Sequence, residues 1–169
     1  PNDNNEDTDG DGVTDTDENT DNTDPTDPCD FILASQTVTP SDEWIALDCD
    51  GDGVTNGDEV TDGTDPLDGC DFNSESITVA QGGDFLLLDC DGDGVTNGDE
   101  ITDGTSPFDS CDFLLASQTL TPSEVWIALD CDGDGVTNGD EVTDGTDPLN
   151  GCDYNPESVS VTQGGDYLL

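Results

Sequence analysis

The cysteines of this chain recur at a fixed period, and that repeat constrains the fold more than any other feature. Successive cysteines alternate between 20 and 21 residues apart, which gives a period of 41, at Cys29, Cys49, Cys70, Cys90, Cys111, Cys131 and Cys152. Repeats of this length are typical of arrays in which each unit contacts only its neighbours. The sequence therefore predicts an elongated tandem-repeat rod rather than one globular core.

The acidic half of each period carries oxygen ligands at the spacing of a calcium-binding loop. In the pattern D-x-[DN]-x-[DN]-G-x5-E, positions 1, 3, 5 and 12 supply carboxylates, position 7 a backbone carbonyl and position 9 a ligand that can act through water. The predicted ligands at these six positions are Asp7, Asp9, Asp11, Val13, Asp15 and Glu18; Asp48, Asp50, Asp52, Val54, Asn56 and Glu59; Asp89, Asp91, Asp93, Val95, Asn97 and Glu100; and Asp130, Asp132, Asp134, Val136, Asn138 and Glu141.

Four matches at one period predict at least four bound ions. Four carboxylates and a carbonyl on a flexible loop suit the six to eight oxygens of Ca²⁺ better than the strict octahedron of Mg²⁺. Mn²⁺ remains an alternative in a test tube, although millimolar extracellular calcium would displace it by mass action.

A second acidic cluster follows each loop and allows two interpretations. An Asp-Pro pair opens the cluster at Asp24, Asp65 and Asp147, whereas the third copy has Ser106. These aspartates are candidates for additional metal ligands, either completing the first site or holding a second ion. Alternatively, the Asp-Pro pair only starts a turn.

The charge of the chain requires bound cations if it is to fold. The 169 residues include 44 Asp and Glu and no Lys, Arg or His, which leaves a net charge of −44. Such a chain is either disordered or neutralised by cations, and the regular hydrophobic residues and cysteines favour the second. The charge excludes nucleic acid as a partner. No apolar run of about 18 residues occurs, so no membrane insertion is expected in this segment.

The cysteines predict disulfides in a secreted protein, because the chain has no CxxC pair or His for a zinc site. They can pair across the connectors between acidic halves or across the acidic halves themselves. Thr8 replaces the first expected cysteine while Cys29 is retained, which favours the connectors. The predicted bonds are Cys29–Cys49, Cys70–Cys90 and Cys111–Cys131, with Cys152 left unpaired in this segment.

The connectors come in two versions that align without a gap. Both predict a short β-hairpin, because β-forming residues such as Thr37 and Val38 precede a turn, which is Gly82-Gly83 in the second version. The alternative is a helical turn that starts at Thr39-Pro40, with Asp42 and Glu43 in its first turn. Paired aromatic residues recur in the connectors and predict a small core for each repeat rather than a carbohydrate platform: Phe31 and Trp44, Phe72 and Phe85, Phe113 and Trp126, and Tyr154 and Tyr167.

The acidic halves resemble the bacterial form of the thrombospondin type 3 repeat, through D-x-D-G-D-G-V-T-N-G-D-E-V followed by G-T-D-P-L. The resemblance implies calcium-stiffened stalks of secreted and surface proteins, often adhesins. Dockerins share the loop but continue into a long helix, whereas Gly63 and Pro66 leave room for barely two turns here. The expected fold is mostly irregular calcium-loop structure with short β-hairpins and one-to-two-turn helices, stapled by disulfides.

The repeat boundaries divide the chain into five segments. They are a partial first calcium repeat (1–29), three connectors each with a calcium repeat (30–70, 71–111 and 112–152), and the start of a further connector (153–169). Because the pattern is cut at residue 169, we expect a longer array, with any export signal or anchor outside this stretch.

The expected function is a calcium-stabilised structural stalk or filament segment of an extracellular or cell-surface assembly. Its expected partners are calcium ions and neighbouring copies of the same array, and its Ser and Thr residues permit O-glycans. The alternative is an acidic calcium-storing or mineral-nucleating matrix protein. An enzyme is not expected, because the chain has no His, Lys or Arg for acid–base chemistry.

Overall fold

The computed structural model describes residues 6–160, which contain short helices and turns and no β-strand. The chain divides into two compact units, Pro1–Leu86 and Leu87–Leu169. The α-helices are α1 (Asp15–Asp21), α2 (Asp42–Ile45), α3 (Asn56–Asp62), α4 (Asn97–Asp103), α5 (Glu124–Ile127) and α6 (Asn138–Asp144); the 3-10 turns are Leu33–Ser35, Ser74–Ser76, Gly83–Leu87 and Leu115–Ser117. No helix within residues 6–160 has the length and apolar character needed to cross a membrane.

A two-turn helix begins at position 9 of each acidic loop, and its short length agrees with the positions of glycine and proline. In α3 the Thr55 hydroxyl accepts a hydrogen bond from the Asp58 amide at 3.4 Å and caps the first turn. The helix ends after seven residues at Gly63, which adopts the left-handed conformation with φ 82°. Threonine caps start the equivalent helices α1, α4 and α6 in the same way.

The predicted β-hairpins are wrong for the described connectors, which form helical turns instead. In the first connector the Ser41 hydroxyl accepts a hydrogen bond from the Trp44 amide at 3.0 Å and starts α2. The second version forms the 3-10 turn Gly83–Leu87 at the matching place. The helical alternative correctly placed Asp42 and Glu43 in the first turn, but the helix is capped by Ser41 and does not start at Thr39-Pro40. A helical turn at this place occurs in both versions of the connector.

The residues that suggested strands bind the preceding acidic loop rather than each other. The amides of Thr37 and Val38 both donate to the carbonyl of Gly12, at 2.9 and 3.1 Å. The backbone partner of the β-forming residues thus lies outside the connector. The same pair of bonds recurs from Thr78 and Val79 to Gly53, and from Thr119 and Leu120 to Gly94.

Two of the aromatic pairs each form a small core with a valine of an acidic loop. Phe31 and Trp44 meet edge to face with ring centroids 5.6 Å apart, and Val13 of the acidic loop completes the cluster. The Trp44 indole N–H donates to the carbonyl of Pro28 at 2.9 Å, which satisfies its polar atom. Phe113, Trp126 and Val95 repeat this cluster, and Phe72 lies edge to face with Phe85. Tyr167, the partner predicted for Tyr154, lies outside the described residues.

Disulfides close two of the connectors. Cys29 is bonded to Cys49 and Cys111 to Cys131, with 5.4 Å between the α-carbons in each case. Cys152 is free and exposed. The bond from Cys70 to Cys90 stays a prediction. A closed loop of this length stabilises the fold by about 3 kcal/mol, chiefly by restricting the unfolded chain.

The contact between α2 and α3 depends on the absence of a side chain at Gly57. A β-carbon there would collide with the Ile45 side chain and lie 3.0 Å from the Ile45 carbonyl oxygen. We expect Gly57→Ala to lower the free energy of unfolding by about 1–2 kcal/mol, since overpacking outweighs the gain in helix propensity. Gly82→Ala is the matched control, because its β-carbon would meet nothing closer than 3.9 Å. Thermal unfolding in calcium measures both; equal melting temperatures for the two variants would contradict the prediction.

Candidate metal sites

Three aspartates converge in each acidic loop, at the first, third and fifth predicted positions. One carboxylate oxygen from each lies within 4.8 Å of the others in all four loops: Asp7, Asp9 and Asp11; Asp48, Asp50 and Asp52; Asp89, Asp91 and Asp93; and Asp130, Asp132 and Asp134. The third member of each triplet is fully buried. Each triplet is therefore a group that could hold a metal ion.

Backbone amides hold the aspartates of each triplet and fix which oxygens remain free. The two oxygens of Asp48 accept hydrogen bonds from the amides of Gly51 and Gly53, at 2.8 and 3.1 Å. One oxygen of Asp52 accepts from the amide of Val54 at 2.7 Å, while its other oxygen has no partner in the described chain. Gly53 has φ 97°, a conformation that side chains disfavour, which explains the glycine at position 6.

The glutamate at position 12 brings further unpartnered oxygens into the protein interior. Glu18, Glu59, Glu100 and Glu141 have no exposed surface. Within the described residues both carboxylate oxygens of Glu59 lack a hydrogen-bond partner, as do the Oδ2 atoms of Asp50 and Asp52. Buried carboxylates without partners are strongly unfavourable, and a bound cation is the usual remedy. The residues therefore fit a divalent cation.

The pKa values of the buried glutamates also fit a cation site. Burial, together with the nearby charges of Asp50 and Asp52, raises the pKa of the Glu59 carboxyl to about 8. Burial is also the main cause at the other three glutamates, whose pKa rises to about 7 at Glu18, about 8 at Glu100 and about 7 at Glu141. Without a cation, these groups hold protons that free glutamates would lose.

Position 7 contributes to the core as well as to the loop. Val13, Val54, Val95 and Val136 have no exposed surface, and Val13 and Val95 lie in the aromatic clusters. A side chain that is fixed in the core also fixes its own backbone. The carbonyl ligand at this position stays a prediction.

The side chains at position 9 have hydrogen bonds within the loop that the ligand spacing did not predict. The Asp15 carboxylate accepts from the amide and the hydroxyl of Thr8, at 2.9 and 2.8 Å. The Asn56 carbonyl oxygen accepts from the amide of Cys49 at 3.1 Å. Asn97 and Asn138 make the same bond to Cys90 and Cys131. The sequence contained a signal for these bonds, because the residues at positions 2 and 9 change together. Position 2 is threonine where position 9 is aspartate, in Thr8 and Asp15, and cysteine where position 9 is asparagine.

The aspartates of the second cluster start turns. The Oδ1 atom of Asp65 accepts from the amide of Leu67 at 3.1 Å, and Ser106 makes the equivalent bond to Phe108 at 3.4 Å. Asp24 and Asp147 bond Thr26 and Leu149 in the same way. These bonds support the turn interpretation, since serine can replace aspartate in it. Additional ligation by Asp24, Asp65 or Asp147 stays a prediction.

Four stretches of the chain match the family described as Bacterial TSP3 repeat, at residues 7–28, 48–69, 89–110 and 130–151. Each stretch has 22 residues, so the matches cover 88 of the 169 residues. The chain belongs to the bacterial TSP3 repeat family. No curated protein and no solved structure matched it.

The TSP3 assignment confirms the resemblance drawn from the sequence. TSP3 repeats are structural calcium-binding repeats and typically extracellular. Each of the four matches begins at the first aspartate of a triplet and ends at the residue immediately before a connector cysteine. The TSP3 repeats thus contain the metal-site carboxylates, and the connectors lie outside them.

The raised pKa values predict how pH acts on the protein without divalent cations. Between about pH 4.5 and 8 the folded state keeps protons on its buried glutamates, whereas the unfolded chain loses them. The free energy of unfolding should therefore fall as pH rises through this window. Thermal unfolding of metal-free protein at several pH values tests this, and a parallel series with saturating calcium is the control. A melting temperature of the metal-free protein that rises with pH would contradict the prediction.

Proposed function

We propose that this chain is a calcium-stabilised structural stalk or filament segment of an extracellular or cell-surface assembly. The observation that carries the proposal is the set of buried, unpartnered carboxylate oxygens that recurs in four loops of a chain with no basic residue. Neither a salt bridge to a basic side chain nor solvent can compensate these charges. Bound cations are thus part of the fold.

Calcium is the ion that the donor set favours. In the second loop Asp48, Asp50, Asp52 and Glu59 offer only hard oxygen donors, and the family is a calcium-binding one. Addition of the Val54 carbonyl and water would give the six to eight oxygens that Ca²⁺ prefers. When bound, the ion supplies positive charge that holds the aspartates and the glutamate together.

A structural role for the ions is supported by the small size of each hydrophobic core. Each core consists of a few large side chains, as in the cluster of Val13, Phe31 and Trp44, which is too small to stabilise 41 residues alone. Because the metal site is formed only in the folded state, the binding free energy of the ion becomes folding free energy. Catalysis is not part of the proposal.

The proposed shape is a rod, and the proposed location is outside the cell. Four Ca²⁺ ions would neutralise only eight of the 44 negative charges, and the remaining repulsion favours an extended array. Disulfides at Cys29–Cys49 and Cys111–Cys131 fit an oxidising compartment. The proposed partners are neighbouring copies of the same array, and the proposed role includes adhesion. Ordered loops fit this role better than a calcium store or a mineral-nucleating matrix.

Chelation of calcium tests the structural role directly. Removal of the ions should loosen the loops while the disulfides persist, because the aspartates then repel one another and the glutamates stay buried only while they are protonated. Small-angle scattering should show a rod in calcium, and a more flexible, less regular chain after chelation. Addition of excess calcium to the chelated sample is the control for reversibility. A compact particle in calcium, or a rod unchanged by chelation, is the result that rules the proposal out.

Loss of one glutamate should remove one ion. We expect Glu59→Gln to reduce the number of tightly bound Ca²⁺ ions from four to three, because the amide leaves a single oxygen where the carboxylate offers two. Glu43→Gln is the matched control, since Glu43 is exposed in α2 and makes the same change in charge. Isothermal titration calorimetry counts the sites. Equal stoichiometry in the two variants would exclude Glu59 as a ligand.

A further inference from the structure

The residues at positions 2 and 9 of each acidic loop bind each other across the loop. In the second loop the Cys49 amide donates to the Asn56 side-chain carbonyl at 3.1 Å, and the Asn56 amide group donates to the Cys49 sulfur at 3.3 Å. The same amide group also donates to the backbone carbonyl of Trp44 at 3.2 Å. The fourth loop repeats all three bonds, from Cys131, Asn138 and Trp126.

The first loop makes the equivalent contact with different residues. The Asp15 carboxylate accepts two hydrogen bonds from Thr8, one from the amide at 2.9 Å and one from the hydroxyl at 2.8 Å. Both bonds join residues of the same loop. The second loop, by contrast, uses a disulfide sulfur and a carbonyl of the connector.

This contact lies where it can set the geometry of the metal site. Cys49 stands between Asp48 and Asp50, and Asn56 is the first residue of α3, which carries Glu59 three residues later. A bond between positions 2 and 9 therefore fixes the aspartate triplet relative to the glutamate. Residues that hold metal ligands in place are worth about tenfold to a hundredfold in metal affinity.

Through this contact, the folded connector fixes the conformation of the second loop. Its helix α2 is capped by Ser41, whose amide donates to the carbonyl of Gly10 in the first loop at 2.8 Å. Its last turn offers the Trp44 carbonyl to Asn56 in the second loop. The disulfide then places Cys49 beside the end of the first repeat, at Cys29.

We propose that positions 2 and 9 form a clasp, a pair of positioning residues that sets the calcium affinity of each loop. The proposal rests on the proposed function, because it assumes that the loops bind calcium. The Cys–Asn clasp makes the affinity of the second and fourth loops depend on the connector that precedes each of them. The Thr–Asp clasp of the first loop depends on no connector.

The chemistry of the two clasps explains why their residues change together. Asparagine has both an acceptor for the Cys49 amide and a donor for the Trp44 carbonyl and the sulfur. Aspartate has no donor, and its charge would face the Trp44 carbonyl. Threonine supplies an amide and a hydroxyl, which together satisfy the two oxygens of an aspartate. Each pair is matched, and a mixed pair leaves a polar group unsatisfied.

Calcium titration of the full chain tests the clasp when NMR monitors one glycine in each of the first, second and fourth loops. The amides of Gly12, Gly53 and Gly135 bind the first aspartates of their loops, so each signal reports one site. Asn56→Asp should weaken calcium binding at the second loop about tenfold or more. The first loop and the fourth, whose twelve residues repeat those of the second, should change by less than about twofold.

Transfer of the Thr–Asp clasp of the first loop into the second loop should restore the calcium affinity of the second loop. Cys29→Ser with Cys49→Ser removes the disulfide and should also weaken the second loop about tenfold or more. Cys29→Ser, Cys49→Thr and Asn56→Asp together should return its affinity to within about threefold of the original chain, because the pair then needs no connector. A merely structural role for the disulfide would leave this triple variant as weak as the double serine variant.

Two results would overturn the clasp. If position 9 is a ligand, Asn56→Asp alone keeps or increases calcium affinity, since a carboxylate binds calcium better than an amide. If the clasp is irrelevant, the triple variant binds no better than the double serine variant. Asn56→Asp retains the disulfide and places a favourable acidic residue at a helix N-terminus, so its loss of affinity cannot come from an unfolded connector. Failure of all three glycines to respond to calcium in the original chain would instead overturn the proposed function.

Discussion

The repulsion among buried carboxylates is the constraint on which the rest of the structure depends. Each acidic loop places three aspartates within a few ångströms of one another and adds a fully buried glutamate. The chain has no basic residue with which to compensate them. The sequence thus folds around charges that no basic side chain of its own can neutralise, and bound cations would compensate them.

The small aromatic clusters and the loops stabilise one another. Val13 belongs to the first loop and also packs with Phe31 and Trp44 of the connector. The connector amides of Thr37 and Val38 bind the carbonyl of Gly12. Disorder in the loop would therefore open the core, and loss of the core would release the loop. Such mutual dependence suits a repeat in which neither part is large enough to be stable alone.

The convergence of the aspartate triplets could be predicted from the sequence, whereas the connector structure could not. Asp48, Asp50, Asp52 and Glu59 lie within twelve residues, so their convergence depends on local turns that the glycines reveal. Thr37 and Val38 looked like half of a hairpin because β-forming residues flank a turn. Their actual partner is a carbonyl in the preceding loop, and no local pattern indicates such a contact. The hydrogen bond from Asn56 to the Trp44 carbonyl could not be predicted for the same reason, since the two residues lie twelve positions apart.

The Cys29–Cys49 disulfide also determines how the chain would respond to a pulling force. Twenty residues of connector, if drawn out, would add roughly 70 Å of length. The disulfide holds its two ends 5.4 Å apart between α-carbons, so tension bypasses the connector and enters the next loop at Cys49, between Asp48 and Asp50. The acidic halves could then extend, and the extension of a loop would require its carboxylates to leave a bound cation. The mechanical strength of such a chain would follow the calcium concentration around it.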